Sequence, residues 1–546
     1  MIWPHFSMES TAGQQLILHS GRVFTATDEE PWVDAVAIDG DRIAATGATE
    51  DLIDRFPGST LISLDGRTVV PGFIDAHNHF LATGESLASV DVRYEVARSI
   101  DDVVRLLHEA AANTPAGTWI TAFGLDDAKY DRKITRADLD LASESHPIRV
   151  LHISGHHVLV NSAGLAERGV TEESSDPPGG SLGRDASGRL DGWALDAAMS
   201  LIVPTVVDIG SHGPNFHTEL ALDDAVDLVE RAGRAFLAAG LTTVCDAQVT
   251  SRELTAYREA RRLDRLPVRT VCMPLSHQLH AFADIGMAGP FGDDRLRIGA
   301  MKFYADGSLI GGTAMFSEPY GESGEFEGSM YHSPEDLTAL IGDAHANGWQ
   351  VGVHVQGDRA IGYVLDAVEA AVAASPREHR HRLEHAGYPT PEQLGRIAAL
   401  GAYLVVQPSY LYDSGDQFLV RLGNRAHRLQ PLKDALDAGI PVVLSSDSDV
   451  CSYRPLDTIR AAMTRRTRDG ASIGGDQALT IEQALRAHTI VAARALWMND
   501  AIGSLEPGKL ADIAVIDGDI TTGTAESTSA LNVSMTMVGG EIAHQA

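Results

Sequence analysis

The chain has 546 residues, too many for one ordinary domain and enough for a large core with one or two added modules. It carries 43 basic and 75 acidic side chains, and the formal net charge of −32 disfavours binding to nucleic acid or to an anionic membrane surface. Three widely separated cysteines fit neither a disulfide framework nor a cysteine zinc cluster, and they suit a reducing cytoplasm.

The first residues do not have the pattern of a secretory signal. No Lys or Arg precedes an apolar stretch there, and no small-residue cleavage site follows. No window approaches the roughly 18 apolar residues that a membrane span requires. We therefore expect a cytoplasmic protein that does not enter a membrane, with either Met1 or Met8 as its first residue.

Both ends of the chain are predicted to be rich in β-strands. Residues 14–70 alternate short apolar runs with turns, including the Asp39-Gly40-Asp41 turn of a predicted hairpin. The same alternation of short apolar runs and turns is present in residues 503–546. We expect the two ends to pair into one small β-sandwich domain, 14–70 plus 503–546.

Between these ends, apolar strands alternate with amphipathic helices, which is typical of parallel β/α units. Eight strands are predicted, the number that closes a barrel: 69–77, 241–248, 267–275, 297–306, 349–357, 381–387, 402–410 and 441–449. The sequence therefore predicts an α/β fold whose central domain, 71–90 plus 216–502, is a distorted (β/α)8 TIM barrel.

The first two predicted strands, 69–77 and 241–248, lie abnormally far apart, since a barrel of usual size takes roughly 30 residues per unit. We therefore predict an α/β domain of residues 91–215 inserted after the first strand. Insertions on the C-terminal face of a barrel cover the active site, so this domain and the loop 321–328 are lid candidates.

Side chains of the kinds that bind metals lie at the ends of several predicted strands. His77 and His79 end the first strand, and residues i and i+2 of a strand point the same way. The carboxyl ends of barrel strands meet at one mouth, where four further side chains are expected: Lys302, His354, His385 and Asp447. Imidazole and carboxylate suit zinc and also accept manganese, iron or cobalt. Together these residues predict a metal site.

Each of these residues also has a simpler interpretation. Taken singly, the two histidines of the first strand would cap a turn, Lys302 would face solvent or pair with Asp306, and Asp447 would cap the next helix. His354 and His385 would each be a core histidine. Their shared position at strand ends favours the metal site over these alternatives.

The segments around these residues resemble the amidohydrolase superfamily, and within it amidohydrolase family 3, the YtcJ-like group. The best-described activity of that group is N-substituted formamide deformylase. The resemblance spans nearly the whole chain and is carried by six segments: 71–79, 301–307, 354–360, 383–386, 445–447 and 503–512.

This resemblance implies a hydrolase that acts on carbon–nitrogen bonds other than peptide bonds, with two divalent ions per subunit, zinc by preference. The implied ligand set places one ion on His77, His79 and Asp447 and the other on His354 and His385, with carboxylated Lys302 and a hydroxide between them. Asp447 is expected to act as general base and then as general acid. The favoured substrate is a small N-formyl or N-acyl amine.

Substrate contacts are harder to predict. His156 matches a family segment Asp-Gly-His, although this chain has Ser154 in place of the Asp, and we expect it to contact substrate together with Trp119 and Phe123. A structural role in the inserted domain is the alternative for all three.

Two other classes of function compete with the amidohydrolase prediction. A hydrolase of the same fold acts on an ester, a lactone or a ring substrate of a deaminase, and fold alone does not choose between these reactions. A metal-free scaffold protein would have lost ligands, yet every predicted ligand is present. The sequence does not fix the oligomeric state, for which a homodimer is one candidate.

Overall fold

The computed structural model describes residues 15–153, 155, 157–177, 180–196, 198–203, 205–321, 323–522 and 524–546. The chain forms two compact units, one of Met1–Phe80 with Gly233–Ala546 and one of Leu81–Ala232. The predicted division into three domains, with an insert at 91–215, stays a prediction. None of the described helices is long and apolar enough to cross a membrane.

Residues 15–78 are mostly β-strand, as the alternating apolar pattern predicts. Strands β5, β4, β1 and β6 form a four-stranded sheet in that order, and β1 is antiparallel to β4 and parallel to β6. The elements of this stretch are β1 (Gln15–His19), β2 (Arg22–Phe24), β3 (Trp32–Val33), β4 (Ala35–Asp39), β5 (Arg42–Gly47), α1 (Thr49–Arg55), β6 (Thr60–Ser63), β7 (Thr68–Pro71) and β8 (Phe73–Asn78).

The second unit has its own six-stranded sheet, and the apolar face of a 13-residue helix packs on it. Val103 and Leu107 of that helix join Ile120 and Val150 of the sheet in one apolar cluster. Helices and strands from residue 80 to 238 are α2 (Phe80–Ala88), β9 (Val90–Asp91), α3 (Ile100–Ala112), β10 (Ile120–Leu125), a 3-10 turn (Asp127–Lys129), α4 (Arg136–Ala142), β11 (Ile148–His152), β12 (His157–Val160), α5 (Ser162–Glu167), β13 (Gly180–Arg184), β14 (Leu190–Asp196), α6 (Met199–Ile202) and α7 (Leu222–Ala238).

The central part of the first unit alternates parallel strands with helices. Its strands are β15 (Leu241–Val249), β16 (Arg269–Pro274), β17 (Phe291–Gly292), β18 (Leu296–Ile298), β19 (Met301–Tyr304), β20 (Val351–Val355), β21 (Arg382–His385), β22 (Tyr403–Val406) and β23 (Val442–Leu444). Its helices are α8 (Ser251–Arg262), α9 (Leu279–Asp284), α10 (Pro334–Ala346), α11 (Asp358–Ala374), α12 (Pro391–Leu400), α13 (Ser409–Asp413), α14 (Gly415–Leu422), α15 (Leu432–Asp437), α16 (Pro455–Thr464), α17 (Ile481–Ala487) and α18 (Ile490–Ala495), with 3-10 turns at Ser276–Gln278, Gly423–Arg428 and Gly475–Gln477.

These strands form two five-stranded sheets, in the orders β17-β18-β16-β15-β8 and β19-β20-β21-β22-β23. Each predicted strand of the central domain has a counterpart among them, but two are wrong as single elements. The predicted first strand, 69–77, divides into β7, which pairs with β24 (Ile513–Ile516) near the end of the chain, and β8, which pairs with β15. The predicted fourth strand, 297–306, divides into β18, which pairs with β16, and β19, which pairs with β20. Lys302 makes one parallel bridge with Leu275, directly after β16. Closure of the two sheets into a (β/α)8 barrel stays a prediction.

Strands from both chain ends share one sheet, as their common texture predicts. The last elements are β24 (Ile513–Ile516), a 3-10 turn (Ala525–Ala530), β25 (Val533–Val538) and β26 (Glu541–Gln545). β24 is antiparallel to β7, with Ile513 opposite Pro71, in the six-stranded sheet β26-β25-β24-β7-β2-β3. One apolar cluster includes Leu16 of the four-stranded sheet and Met535 of this one. The facing of the two sheets as a β-sandwich stays a prediction.

Candidate metal centre

All six predicted ligands lie in parallel strands or shortly after them. The positions are His77 in β8, His79 one residue after β8, Lys302 in β19, His354 in β20, His385 in β21 and Asp447 three residues after β23. All are buried apart from a small exposed fraction of His79. The apolar strand residues around them, such as Ile74 and Val443, belong to the core of this unit, so the strands hold these side chains on a rigid support.

Asp447 lies at the middle of the cluster. Its Oδ1 is 3.3 Å from Nε2 of His77 and 3.1 Å from Nε2 of His79, and its Oδ2 is 4.0 Å from Nδ1 of His385. Ligand atoms of His77, His385 and Asp447 all lie within 4.8 Å of one another. Two imidazoles and a carboxylate at this spacing are a donor set that zinc and related divalent cations accept.

His354 and Lys302 lie beside this group. The ring centroids of His354 and His385 are 4.5 Å apart, and Nε2 of His354 donates to the carbonyl of Gly307 at 3.2 Å. Nζ of Lys302 is fully buried, lies 4.6 Å from the centre of the Tyr304 ring and has no hydrogen-bond partner among the described residues. Buried amines without a partner are rare, so this one fits a site that a cation or a covalent modification completes.

The protonation states at the site also suit a cation. Burial lowers the pKa of His385 to about 3, and burial together with the nearby His385 and Lys302 holds the pKa of His354 well below its usual value. Both imidazoles are therefore neutral at pH 7, which is the form that binds metals. Burial alone would raise the pKa of Asp447, but its interactions with His77 and His79 outweigh burial and keep the pKa well below the usual range.

Two of the predicted ligands have a strained backbone. His385 has φ +68°, Ala386 has φ +39° and Asp447 has φ +53°. Residues other than glycine rarely adopt these left-handed values, and such strain persists only where the surrounding structure enforces it. The strained positions end β21 and follow β23, so the strain lies where side chains turn toward the cluster.

Three residues that contact the ligands were not predicted from the sequence. A carboxylate oxygen of Glu384 contacts Nδ1 of His77, and the amide oxygen of Gln407 contacts Nδ1 of His385. The hydroxyl of Tyr410 donates to Oδ2 of Asp447. Only Glu384 had a signal that could have found it. Arg382 and Glu384 are charged residues two positions apart in a buried strand, so they share a face and must pair inside the protein.

Two of the predicted substrate contacts, Trp119 and Phe123, lie in the second unit. Nε1 of Trp119 donates to Glu167 at 2.6 Å, and its ring packs against the guanidinium groups of Arg149 and Arg168. Phe123 lies in β10 and is only 8% exposed. These contacts are structural, and substrate contact by either aromatic residue stays a prediction. His156 lies outside the described residues.

Comparisons with known proteins agree with this chemistry. The model of the amidohydrolase family matches residues 60–544, and that of a bacterial imidazolonepropionase-like composite domain matches residues 35–58. An N-substituted formamide deformylase from Arthrobacter pascens is 31% identical, with 98% of this chain and 99% of that protein covered. The putative amidohydrolase YtcJ of Bacillus subtilis is 28% identical, with 97% and 99% covered.

Among solved structures, this chain is similar to an uncharacterized metal-dependent hydrolase from Pyrococcus horikoshii. The TM-score is 0.76 at 25% identity, and the match covers 94% of this chain and 99% of that one. The similarity therefore extends over most of both compact units. By the extent of these matches, the chain belongs to the amidohydrolase family.

Proposed function

We propose that this protein hydrolyses the C–N bond of a small N-formyl or N-acyl amine in a metal-dependent reaction. The buried group of His77, His385 and Asp447, with ligand atoms within 4.8 Å of one another, is the observation that carries the proposal. The name of the deformylase relative supports the substrate class, and membership of the amidohydrolase family supports hydrolysis.

The family resemblance supports an assignment of the residues that would hold the cation. We propose His77, His79 and Asp447 for one zinc ion and His354 and His385 for a second, with carboxylated Lys302 as the ligand common to both. A divalent ion bound in such a site polarises a carbonyl group and lowers the pKa of a water molecule.

The surroundings of Asp447 support a role in proton transfer. Its low pKa keeps the carboxylate ionised at neutral pH, so it is able to accept a proton. Tyr410 donates to Oδ2, which leaves Oδ1 facing Nε2 of His77 and His79. We propose that Asp447 takes the proton from the attacking water and delivers it to the departing nitrogen. An amine leaves only when it is protonated, so amide cleavage requires this second transfer.

The experiment that tests this proposal compares matched substrates on the metal-loaded full chain. An N-formyl amine, its N-acetyl analogue, a cyclic amide, and the corresponding ester and lactone are incubated separately, and the amine, alcohol or acid released is quantified. We expect turnover of the N-formyl or N-acyl amine. Cleavage of the ester or lactone without amide cleavage would contradict the proposed bond.

Asp447→Asn is the variant that tests the proposed proton transfer. Because Asn keeps the size of the side chain, we expect the fold and bound metal to be retained, as measured by circular dichroism and metal analysis. Turnover should fall by roughly 10²- to 10⁴-fold, the usual contribution of a positioned acid or base. Wild-type activity in this variant would remove Asp447 as the proton carrier.

A further inference from the structure

Two histidines of the candidate metal centre have different hydrogen-bond partners at Nδ1. Nδ1 of His77 lies 2.6 Å from Oε2 of Glu384, and neither side chain is exposed. Nδ1 of His385 lies 2.8 Å from Oε1 of Gln407, whose Nε2 donates to Oγ of Ser445 at 2.9 Å. An ionised carboxylate and an amide oxygen only accept hydrogen bonds, so each imidazole donates its Nδ1–H. Nε2 of each ring is then left to bind a cation.

Arg382 holds Glu384 in place. Its Nε and Nη2 donate to Oε1 and Oε2 of Glu384 at 2.6 and 3.0 Å. Nη2 also donates to the carbonyl of Ala76 at 2.7 Å. Since Ala76 precedes His77 in β8, one guanidinium fixes both the carboxylate and the strand that bears the histidine.

This arrangement is not explained by stability alone. A buried ion pair contributes little compared with apolar residues of the same volume, because both charges lose their hydration. Arg382 and Glu384 are both fully buried, and Oε2 of Glu384 is shared between Arg382 and the ring of His77. The contact with His77 therefore offers a role for the buried carboxylate beyond stability.

We propose that Glu384, held by Arg382, is a positioning residue that makes His77 a stronger ligand for a divalent cation than His385. The affinity of the centre for a divalent cation then depends on Glu384 more than on Gln407. This inference rests on the proposed function in taking the cluster as a cation site. A carboxylate behind an imidazole fixes its tautomer and raises its basicity as a ligand, and such partners typically change metal affinity by 10- to 100-fold. A neutral amide fixes the tautomer without adding charge.

The first test measures Zn²⁺ affinity of the full chain by competition with a chromophoric chelator. Arg382→Met/Glu384→Gln removes the charged pair together, so no unpaired charge is left buried. Gln407→Met is the matched control on the other histidine. We expect roughly a 10- to 100-fold loss in the double variant and a clearly smaller loss in Gln407→Met. Equal losses in the two variants would overturn the proposal.

Glu384→Asp covers the case in which the double variant does not fold. It keeps the charge and the pairing with Arg382 but withdraws the carboxylate from Nδ1 of His77 by one methylene. We expect weaker Zn²⁺ binding by a folded chain. Unchanged affinity in Glu384→Asp, with normal binding by the wild type, removes this proposal alone, whereas no Zn²⁺ binding by the wild type removes the proposed function as well.

A second readout needs neither metal nor activity. In ¹H NMR spectra of the metal-free full chain, the Nδ1–H of His77 should give a downfield resonance because it donates to a carboxylate. His77→Gln identifies the resonance by removing it. We expect Glu384→Asp to shift this resonance and Gln407→Met to leave it in place. A resonance that Glu384→Asp does not move would overturn the tautomer assignment and with it the proposal.

Discussion

Burial of Lys302 has a direct chemical consequence. Its Nζ has no hydrogen-bond partner among the described residues, and burial lowers the pKa of Lys302 to about 8. A larger fraction of the amine is then neutral near neutral pH than for an exposed lysine. Only a neutral amine adds to carbon dioxide, so the surroundings of Lys302 favour the carbamate that we propose as a bridging ligand.

We predict that Lys302→Ala loses most of its activity and that small carboxylic acids restore part of it. The acid would occupy the space of the side chain and supply the missing carboxylate. Activity and bound metal are measured with and without added acetate or propionate. Lys433→Ala, at a lysine that is about half exposed, is the control and should behave as wild type. Full activity of Lys302→Ala without any acid would show that Lys302 is not a bridge.

Tyr410 provides a second prediction for a single residue. Its hydroxyl donates to Asp447, and a hydrogen bond to a charged group contributes about 1.5–3 kcal/mol. Tyr410→Phe should therefore lower kcat by roughly 10- to 100-fold, with the metal content unchanged. Tyr412→Phe changes the next tyrosine of the same helix, which packs on Arg460 instead, and should leave kcat unaltered. Equal values of kcat in the two variants would contradict a role for Tyr410 in orienting Asp447.

At the scale of elements, the carboxylate of Asp306 connects the loop after β19 to the end of β20. Asp306 follows β19 and accepts the backbone N–H groups of Met315, Gln356 and Gly357 at 2.8, 2.9 and 2.9 Å. The loop after β19 is thereby tied to the end of β20, which bears His354. The carboxylate of Asp306 therefore accepts hydrogen bonds from the backbone and does not pair with Lys302. This removes one of the simpler interpretations of that lysine.

We predict that Asp306→Ala lowers the free energy of unfolding by about 3 kcal/mol, because three buried N–H groups lose their hydrogen-bond acceptor. Urea unfolding followed by circular dichroism measures this change. Asp343→Ala, at an exposed position of α10, is the matched control and should change stability by less than about 0.5 kcal/mol. Equal stability of the two variants would contradict the role of Asp306.

On the scale of the whole molecule, several histidines outside the candidate metal centre are buried in the neutral form. Burial lowers the pKa of His488 to about 4, and burial, with His379 and His345 nearby, holds the pKa of His381 well below its usual value. In the unfolded chain these histidines titrate near pH 6.5. Between pH 6.5 and pH 4 the unfolded state therefore binds more protons, and the folded state loses stability as the pH falls.

We predict that His488 destabilises the folded chain as the pH falls, so that His488→Gln makes the loss of unfolding free energy between pH 7 and pH 4.5 smaller by about 2 kcal/mol. Urea unfolding curves at pH 7, 6, 5 and 4.5 measure the effect. His280→Gln, at an exposed histidine of α9, should leave the pH dependence as in the wild type. A His488→Gln curve parallel to that of the wild type would contradict the prediction.

The sequence alone determined the positions of most strands of the central domain and the kinds of side chains at their ends. An apolar run such as 349–357 specifies a buried strand locally, and His77, His354, His385 and Asp447 were identified because each lies at the end of such a run. The family was also identified from these segments, and the comparisons confirm it. The three cysteines, expected to form no disulfide, are free and buried.

Only the tertiary structure decided what lies behind the ligands. The side chain of Glu384 contacts that of His77 although 307 residues separate them in the chain. The side chain of Tyr410 contacts that of Asp447 from another element. Such contacts depend on strand order and register, and no local pattern of residues encodes either of them. The left-handed backbone of His385 and Asp447 has the same origin, because packing from distant strands overrides the local preference of those residues.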